Sequence, residues 1–340
     1  MSMHKLDAWW FVDRAAEERG EPTVAFSYMA ALISALHAMG EDADPIWRMG
    51  TSAFAFRIWA HKALCPSAMS VFDWTGLLPE AVEQQGFQCA YVSRLWHEEA
   101  QEEDRRLEAQ ARIRAGIDTG RPAIVWETGI PQWGLIIGYD DAARVYATRS
   151  IPGGEGVLPY DRLGRGEIPI LSVAIVGEPN GRGCDEIVRR SLAAAVRHAE
   201  QGEWMDRPDY QDGLPAYEQW ARAIAPGGPP DVNWDYSCYY AAHWFGARCY
   251  VRDYLRRIAG GQPLLEQASE AYGRVAEHLR PVWVGFSAET HPADDVLAAL
   301  AEEVRASGHI EAEAVDLLRR HLTEGNGTTK NTNNTKNRNG

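Results

Sequence analysis

Cysteine is sparse and unpaired in this chain. The five residues Cys65, Cys89, Cys184, Cys238 and Cys249 are odd in number, widely spaced and without a CxxC pair. That argues against a disulfide framework and fits a reducing compartment. No apolar run approaches the roughly 20 residues of a membrane helix, so no membrane partner is expected. The N-terminus carries Asp7, Asp13 and a charged run where a signal peptide has a basic end and an apolar core, and a cytoplasmic protein is the expectation. Basic patches are missing too: 48 acidic residues against 34 basic ones give a formal charge of −14. This disfavours nucleic acid, whose phosphates require clustered cations. GxxxxGK[ST] and GxGxxG segments are absent, so nucleotide binding by those routes is not supported, and no cofactor or metal is expected.

What the chain does have is length for two domains and 13 tryptophans, which serve either an ordinary core or the lining of a cleft. Its centre of organisation is Ser27–Gly40, SYMAALISALHAMG. Apolar residues at Tyr28, Ala31, Leu32, Ala35, Leu36 and Met39 follow one helix face, and Met29 and Ile33 make the other side apolar as well. A helix apolar all round is a buried helix. Ser27 reads as its N-cap and Gly40 as its stop. About a hundred residues later comes QWGLIIGYD, Gln132–Asp140, an aliphatic strand.

Together these two stretches resemble bacterial papain-like cysteine peptidases of the bacteriocin-leader-processing type and the related butirosin biosynthesis protein H-like family. Those proteins carry a Cys at the start of such a helix, a Gly one helix length later, and a downstream strand of the form His, aromatic, aliphatics, Gly-Tyr-Asp. In this chain Ser27 stands at the Cys position and Gln132 at the His position. Trp133, Leu135, Ile136, Ile137, Gly138, Tyr139 and Asp140 keep the strand. The third member, an Asp or Asn on the next strand, has only Thr148 and Ser150 to represent it. The families' Gly-x-Ser-Gly-x-x-Phe turn is matched by Gly50, Ser52 and Phe56, with Ala53 and Phe54 replacing small flexible residues. The resemblance covers roughly residues 20 to 177 and implies a papain-like α+β fold with its catalytic positions replaced.

The remaining pattern predicts a short amphipathic helix over 6–19 that buries Trp9, Trp10 and Val12. A helix follows around Leu77–Gln85, then a strand at Phe87–Val92 and a long solvated helix from Trp96 to Ile117. Four strands come next: Ala123–Trp126, Trp133–Ile137, Val145–Thr148 and Ile170–Gly177, the middle pair joined as an antiparallel hairpin at Asp140-Asp141. After Glu178–Gly183 only helices are expected, over 184–204, 214–224, 236–258, 264–279, 293–306 and 311–322, with Pro281 as punctuation. This helical half resembles the one that follows the peptidase-like domain in butirosin-H-type proteins. The expected division is therefore a papain-like domain over 1–180, an all-α domain over 184–322, and a disordered polar tail over 325–340.

Three further groupings invite chemistry. Ser34 and His37 lie on one helix face as a serine with a base. His61 and Cys65 are four apart on an expected helix. Cys238, His243 and Cys249 are conceivable metal ligands, although their spacing does not converge on one face. Ser27 with Gln132 remains the first candidate. The leading expectation is a pseudoenzyme that binds a peptide-like or acyl-bearing small ligand through Ser27, Tyr28, Ser52, Gln132 and Trp133 without cleaving it. The alternatives are an acyltransferase acting through Ser27, as the butirosin-H resemblance implies, and an assembly protein that forms a homo-oligomer through its helical half.

Overall fold

A strand with no polar residue must be covered on both faces, and Ala123–Trp126 (β4) is such a strand, buried at all four positions. The computed structural model, which describes residues 3–23, 26–150, 154–203 and 207–334, places β4 inside a seven-stranded antiparallel sheet. Its order is β3 (Phe87–Arg94), β8 (Leu171–Pro179), β4, β5 (Trp133–Asp140), β6 (Val145–Ser150) and β7 (Gly154–Pro159). The two-residue β1 (His4–Lys5) joins β5 opposite Gly138 and Tyr139, just beyond the end of β4. Gly138 has no room for a Cβ, which would overlap the His4 carbonyl.

On one face α5 (Glu102–Asp118) lays Ala109, Ile113 and Ile117 against Ala123, Val125, Ile136, Val173 and Ile175. At roughly 1.5–3 kcal/mol for each large side chain removed from water, this layer is a main source of cohesion. Strand alternation sends Ile124, Trp126 and Trp133 to the other face. There α2 (Ser27–Ala38), buried from Tyr28 to Leu36, packs on β4 and β5. It ends as its sequence predicts: Gly40 takes φ +83° while the Glu41 amide donates back to Leu36 O. α4 (Trp74–Glu83) lies over β3 and β8.

The chain divides into two units, Met1–Arg48 with Asp73–Gly183, and Met49–Phe72 with Cys184–Gly340. The first unit is therefore not a continuous stretch. α3 (Pro45–Thr51) carries the chain out of it, and Met49–Phe72 goes with the helical residues. The cause is local. β2 (Trp59–His61) pairs antiparallel with β9 (Tyr210–Asp212), a strand in a half where only helices were expected. Phe54, Phe56 and Trp59 are fully buried within this second unit.

Its helices are α6 (Cys184–Gln201), α7 (Pro215–Ile224), α8 (Ser237–Ala259), α9 (Pro263–Ala288) and α10 (Asp294–Asn334). Two expected interruptions do not occur. α9 runs through Pro281, and α10 runs through Gly308, where a Cβ would press on the Tyr217 side chain, 2.8 Å from its Cβ. Gly308 is thus small because Tyr217 lies against it. α10 also continues through residues 325–334, for which composition predicts disorder, since adding a residue to an existing helix costs far less than nucleating one. Trp204 and residues 335–340 lie outside the described residues.

Near the N-terminus the expected helix over 6–19 shrinks to α1 (Arg14–Glu18). Asp13 is its N-cap, accepting from the Ala16 amide at 3.1 Å, and the residues before it run extended. Trp9 and Val12 stay exposed. No helix among the described residues is long and apolar enough to cross a membrane.

Candidate functional site

α2 begins one residue earlier than its sequence suggests. Phe26 is the N-cap, its carbonyl accepting from the Ala30 amide, and Ser27 is the first helical residue. The Ser27 hydroxyl is consequently not used as a cap. It turns to β5 and accepts the Trp133 N–H at 3.3 Å, which ties the helix start to the Gln132–Trp133 peptide. Among the described residues this is the only hydrogen bond the Ser27 hydroxyl makes, and no histidine, carboxylate or lysine reaches it.

Gln132 is half-buried and stands just ahead of β5, at the end of the six-residue loop 127–132. The Glu127 amide donates to Gln132 O at 2.8 Å and closes the loop. Inside it the Gln132 amide donates to Ile130 O at 2.6 Å across Pro131, a tight turn that the proline's fixed φ favours. Glu127 holds a left-handed φ of 59°, and its carboxylate accepts from the amides of Glu167 and Ile168. Gly166 has no space for a Cβ because that carboxylate occupies it. The loops on either side of the β4–β8 pair are thereby stapled together. The second one repeats the proline turn, with the Ile170 amide donating to Ile168 O across Pro169. Ile130 and Ile168 both stand exposed on these turns.

Beneath the loop lies an aromatic block. The rings of Trp74, Trp126 and Trp133 sit pairwise 4.6–4.8 Å apart, with Tyr28 edge-on to Trp133 at 5.7 Å. All four are buried, and spacing this close leaves no opening between the rings. Tyr28 donates its hydroxyl to Leu78 O at 2.7 Å, and burial pushes its pKa well up. Two residues expected to touch a ligand, Tyr28 and Trp133, are therefore the floor of the site. The tryptophans here are core.

Three buried side-chain atoms around this loop have no hydrogen-bond partner among the described residues: Trp126 Nε1, Thr128 Oγ1 and Gln132 Oε1. Thr128 Oγ1 lies directly over Gly134, where a Cβ would collide with it. Leaving a buried polar atom unpaired costs about 1–3 kcal/mol, so Thr128 and Gln132 in the loop, with Trp126 at the end of β4, mark a place where a partner would be favourable; the side-chain amide of Gln84 and the Trp220 indole are open likewise. The sequence pattern leaves residues 127–132 between two strands and gives Glu127 and Thr128 no role. The available signal was a polar pair directly after a fully apolar strand.

The other expected site residues go elsewhere. Ser52 belongs to the second unit, and its buried hydroxyl donates to Met49 O at 3.1 Å and accepts from the Phe54 amide at 3.3 Å. Ser34 spends its hydroxyl on Ala30 O and the Phe11 amide, while His37 is exposed with its ring 4.4 Å from Trp9, so the two form no pair. Thr148 and Ser150 are on β6, with Thr148 opposite Ile136.

His61 ends β2 and does not lie on a helix. Its Nδ1 accepts from the amides of Ala63 and Cys65, and the Cys65 thiol lies 2.8 Å from Ser67 Oγ. Cys238, His243 and Cys249 do not converge: Cys238 lies 3.4 Å from Ser287 Oγ, and no metal-ligand cluster exists among the described residues. Burial, helped by Arg248, pushes the His243 imidazole down to about 3.

No family model matches this chain, and no curated protein matches it at a significant level.

Proposed function

We propose that the sheet end formed by Ser27, Thr128 and Gln132 is the ligand site of a catalytically degenerate, papain-like protein that holds a peptide-like or acyl-bearing small ligand without cleaving it. One observation carries this reading. A hydroxyl at a helix start, with no base beside it, adjoins three buried polar atoms that lack partners. A serine without a base is a poor nucleophile. The open atoms nevertheless suit an amide or ester group: Trp126 Nε1 donates to a carbonyl, Gln132 Oε1 accepts an N–H, and the Thr128 hydroxyl does either. Loop 127–132 contains no cation, and its one charged side chain, Glu127, is committed to backbone amides. That favours an uncharged group over a free carboxylate. The left-handed Ala53, φ 60°, supports the resemblance, because the turn keeps a backbone shape that glycine would adopt freely.

The test is intact-mass analysis after exposure to acyl-donor and fluorophosphonate probes, run beside a reactive serine hydrolase, together with native mass spectrometry for retained ligand. No Ser27-dependent adduct is expected, and Thr128→Val and Gln132→Leu should each lower ligand retention. A covalent adduct on the wild type that disappears in Ser27→Ala would overturn the reading in favour of acyl transfer.

A further inference from the structure

The opposite end of β5 carries a second grouping, which no part of the ligand-site reading uses. The chain reverses there through Asp141–Arg144, and Asp140 Oδ1 organises the turn by accepting from the amides of Ala142 at 2.9 Å and Ala143 at 3.0 Å. The turn closes on Arg144 with φ 55°, the left-handed conformation that glycine adopts without strain. A bulky residue is held in glycine's place, and strain of this kind gathers at functional positions.

The Arg144 guanidinium lies 5.8 Å from the centre of the Tyr160 ring, and that of Arg114 lies 5.3 Å from it. Among the described residues the Arg144 guanidinium makes no hydrogen bond and no ion pair. Arg114 pairs with Asp141, which also accepts from the Tyr160 hydroxyl at 3.0 Å, but its buried Nε has no partner. Tyr146, with its ring 4.4 Å from Tyr160, has a fully buried hydroxyl that is likewise unpartnered. Burial pushes the Tyr146 phenol up, so it remains protonated and able to donate. Asp140 is spent on the turn's own amides and Asp141 on Arg114 and Tyr160, so neither carboxylate engages the Arg144 guanidinium. The guanidinium groups can only donate and the protonated Tyr146 hydroxyl can donate as well, so the group that suits them is an acceptor carrying negative charge.

We propose that the Arg144 turn is an oxyanion site for a phosphate group, held between the guanidinium groups of Arg144 and Arg114, with Arg114 Nε and the Tyr146 hydroxyl completing its inner side. Paired guanidinium groups suit phosphate because their planar N–H forks match its oxygens.

Thermal melts of the full chain in inorganic phosphate, against chloride at equal ionic strength, test this. The melting midpoint should rise with phosphate and saturate. Arg144→Gly relieves the left-handed strain while removing the guanidinium, so its midpoint in chloride should rise above wild type and the phosphate increment should vanish. Arg144→Ala keeps the strain and loses the charge, and it should show neither gain. A full phosphate increment in Arg144→Gly, or a wild type that responds no more to phosphate than to chloride, would overturn the proposal. Titration with glucose 6-phosphate in parallel identifies the form taken: equal affinity supports free phosphate, and tighter binding supports a phosphate ester.

Discussion

Two clusters of buried polar atoms in this chain are built to opposite rules. Around Arg248, which is fully buried, every guanidinium nitrogen is engaged. Nε donates to Tyr217 Oη at 3.0 Å and to Glu311 at 2.8 Å, one terminal nitrogen donates to Glu311 at 2.8 Å, and the other donates to Ala55 O and Arg57 O. Around loop 127–132 three polar atoms are left open. The first arrangement fixes geometry: it sets the turn over residues 53–57 against α8 and α10. The second keeps a cost that a purely structural loop would shed, as expected where a ligand completes the set. Unpaired buried atoms also occur at Gln84 and Trp220; what sets the loop apart is that its open atoms adjoin the Ser27 hydroxyl at a helix start.

The largest expected effect lies on the satisfied side. Glu311→Leu strands a buried guanidinium and should cost about 3–5 kcal/mol in urea denaturation. Adding Arg248→Met to that variant should recover a large part of the loss. A single variant costing under about 1 kcal/mol would erase the contrast.

Acid should act on the same unit. His243 has a folded pKa of about 3 against 6.5 for the free side chain. Between those values the unfolded chain binds a proton that the native state refuses, so stability falls as pH drops from about 6.5, by at most ~1.4 kcal/mol per pH unit. Glu203 adds to the loss at lower pH. Burial alone would raise its pKa, but Arg57 and His198 outweigh that and hold it well below the usual value, so its contribution disappears as pH falls beneath about 4.5. Denaturant melts from pH 7 to 4 should show a shallower slope in His243→Leu than in wild type.

On the open side the sign reverses. Thr128→Val replaces an unpaired hydroxyl with a methyl of the same shape and should raise stability by about 1 kcal/mol, even as ligand retention falls. A loss of stability instead would mean that the hydroxyl already has a partner. The smallest effect belongs to Ser27→Ala, which deletes one neutral hydrogen bond to the Trp133 amide and should cost about 0.5–1.5 kcal/mol in the same melts.

Much of the frame was legible in the sequence where periodicity is long and uninterrupted. The buried helix with its Gly40 stop, the strand at Ala123–Trp126 and the hairpin joining β5 to β6 all follow from local pattern. The exposed β7, with two glycines in six residues, has too little apolar alternation to announce a strand. β2 and β9 are three residues each and pair across a wide gap in sequence, which no window of periodicity spans. Pro281 misled because a proline usually ends a helix, yet neighbouring helices hold α9 in shape through it. At the site, the residue types at Ser27 and Gln132 were readable, while the open atoms of Trp126 and Thr128 were not. Whether a polar atom finds a partner depends on the folded neighbourhood.

The allotment of Met49–Phe72 to the second unit also bears on how the chain comes to be folded during synthesis. Arg57 leaves the ribosome long before the arginine that will hold its carbonyl, which lies 191 residues further on. At elongation rates of ~5–20 residues per second this is a wait of roughly 10–40 s. Throughout it Phe54, Phe56 and Trp59 lack the helices that bury them. Stopping the chain at Gly183 makes that wait permanent. A fragment meant to represent the first unit must therefore replace residues 49–72 with a short polar linker.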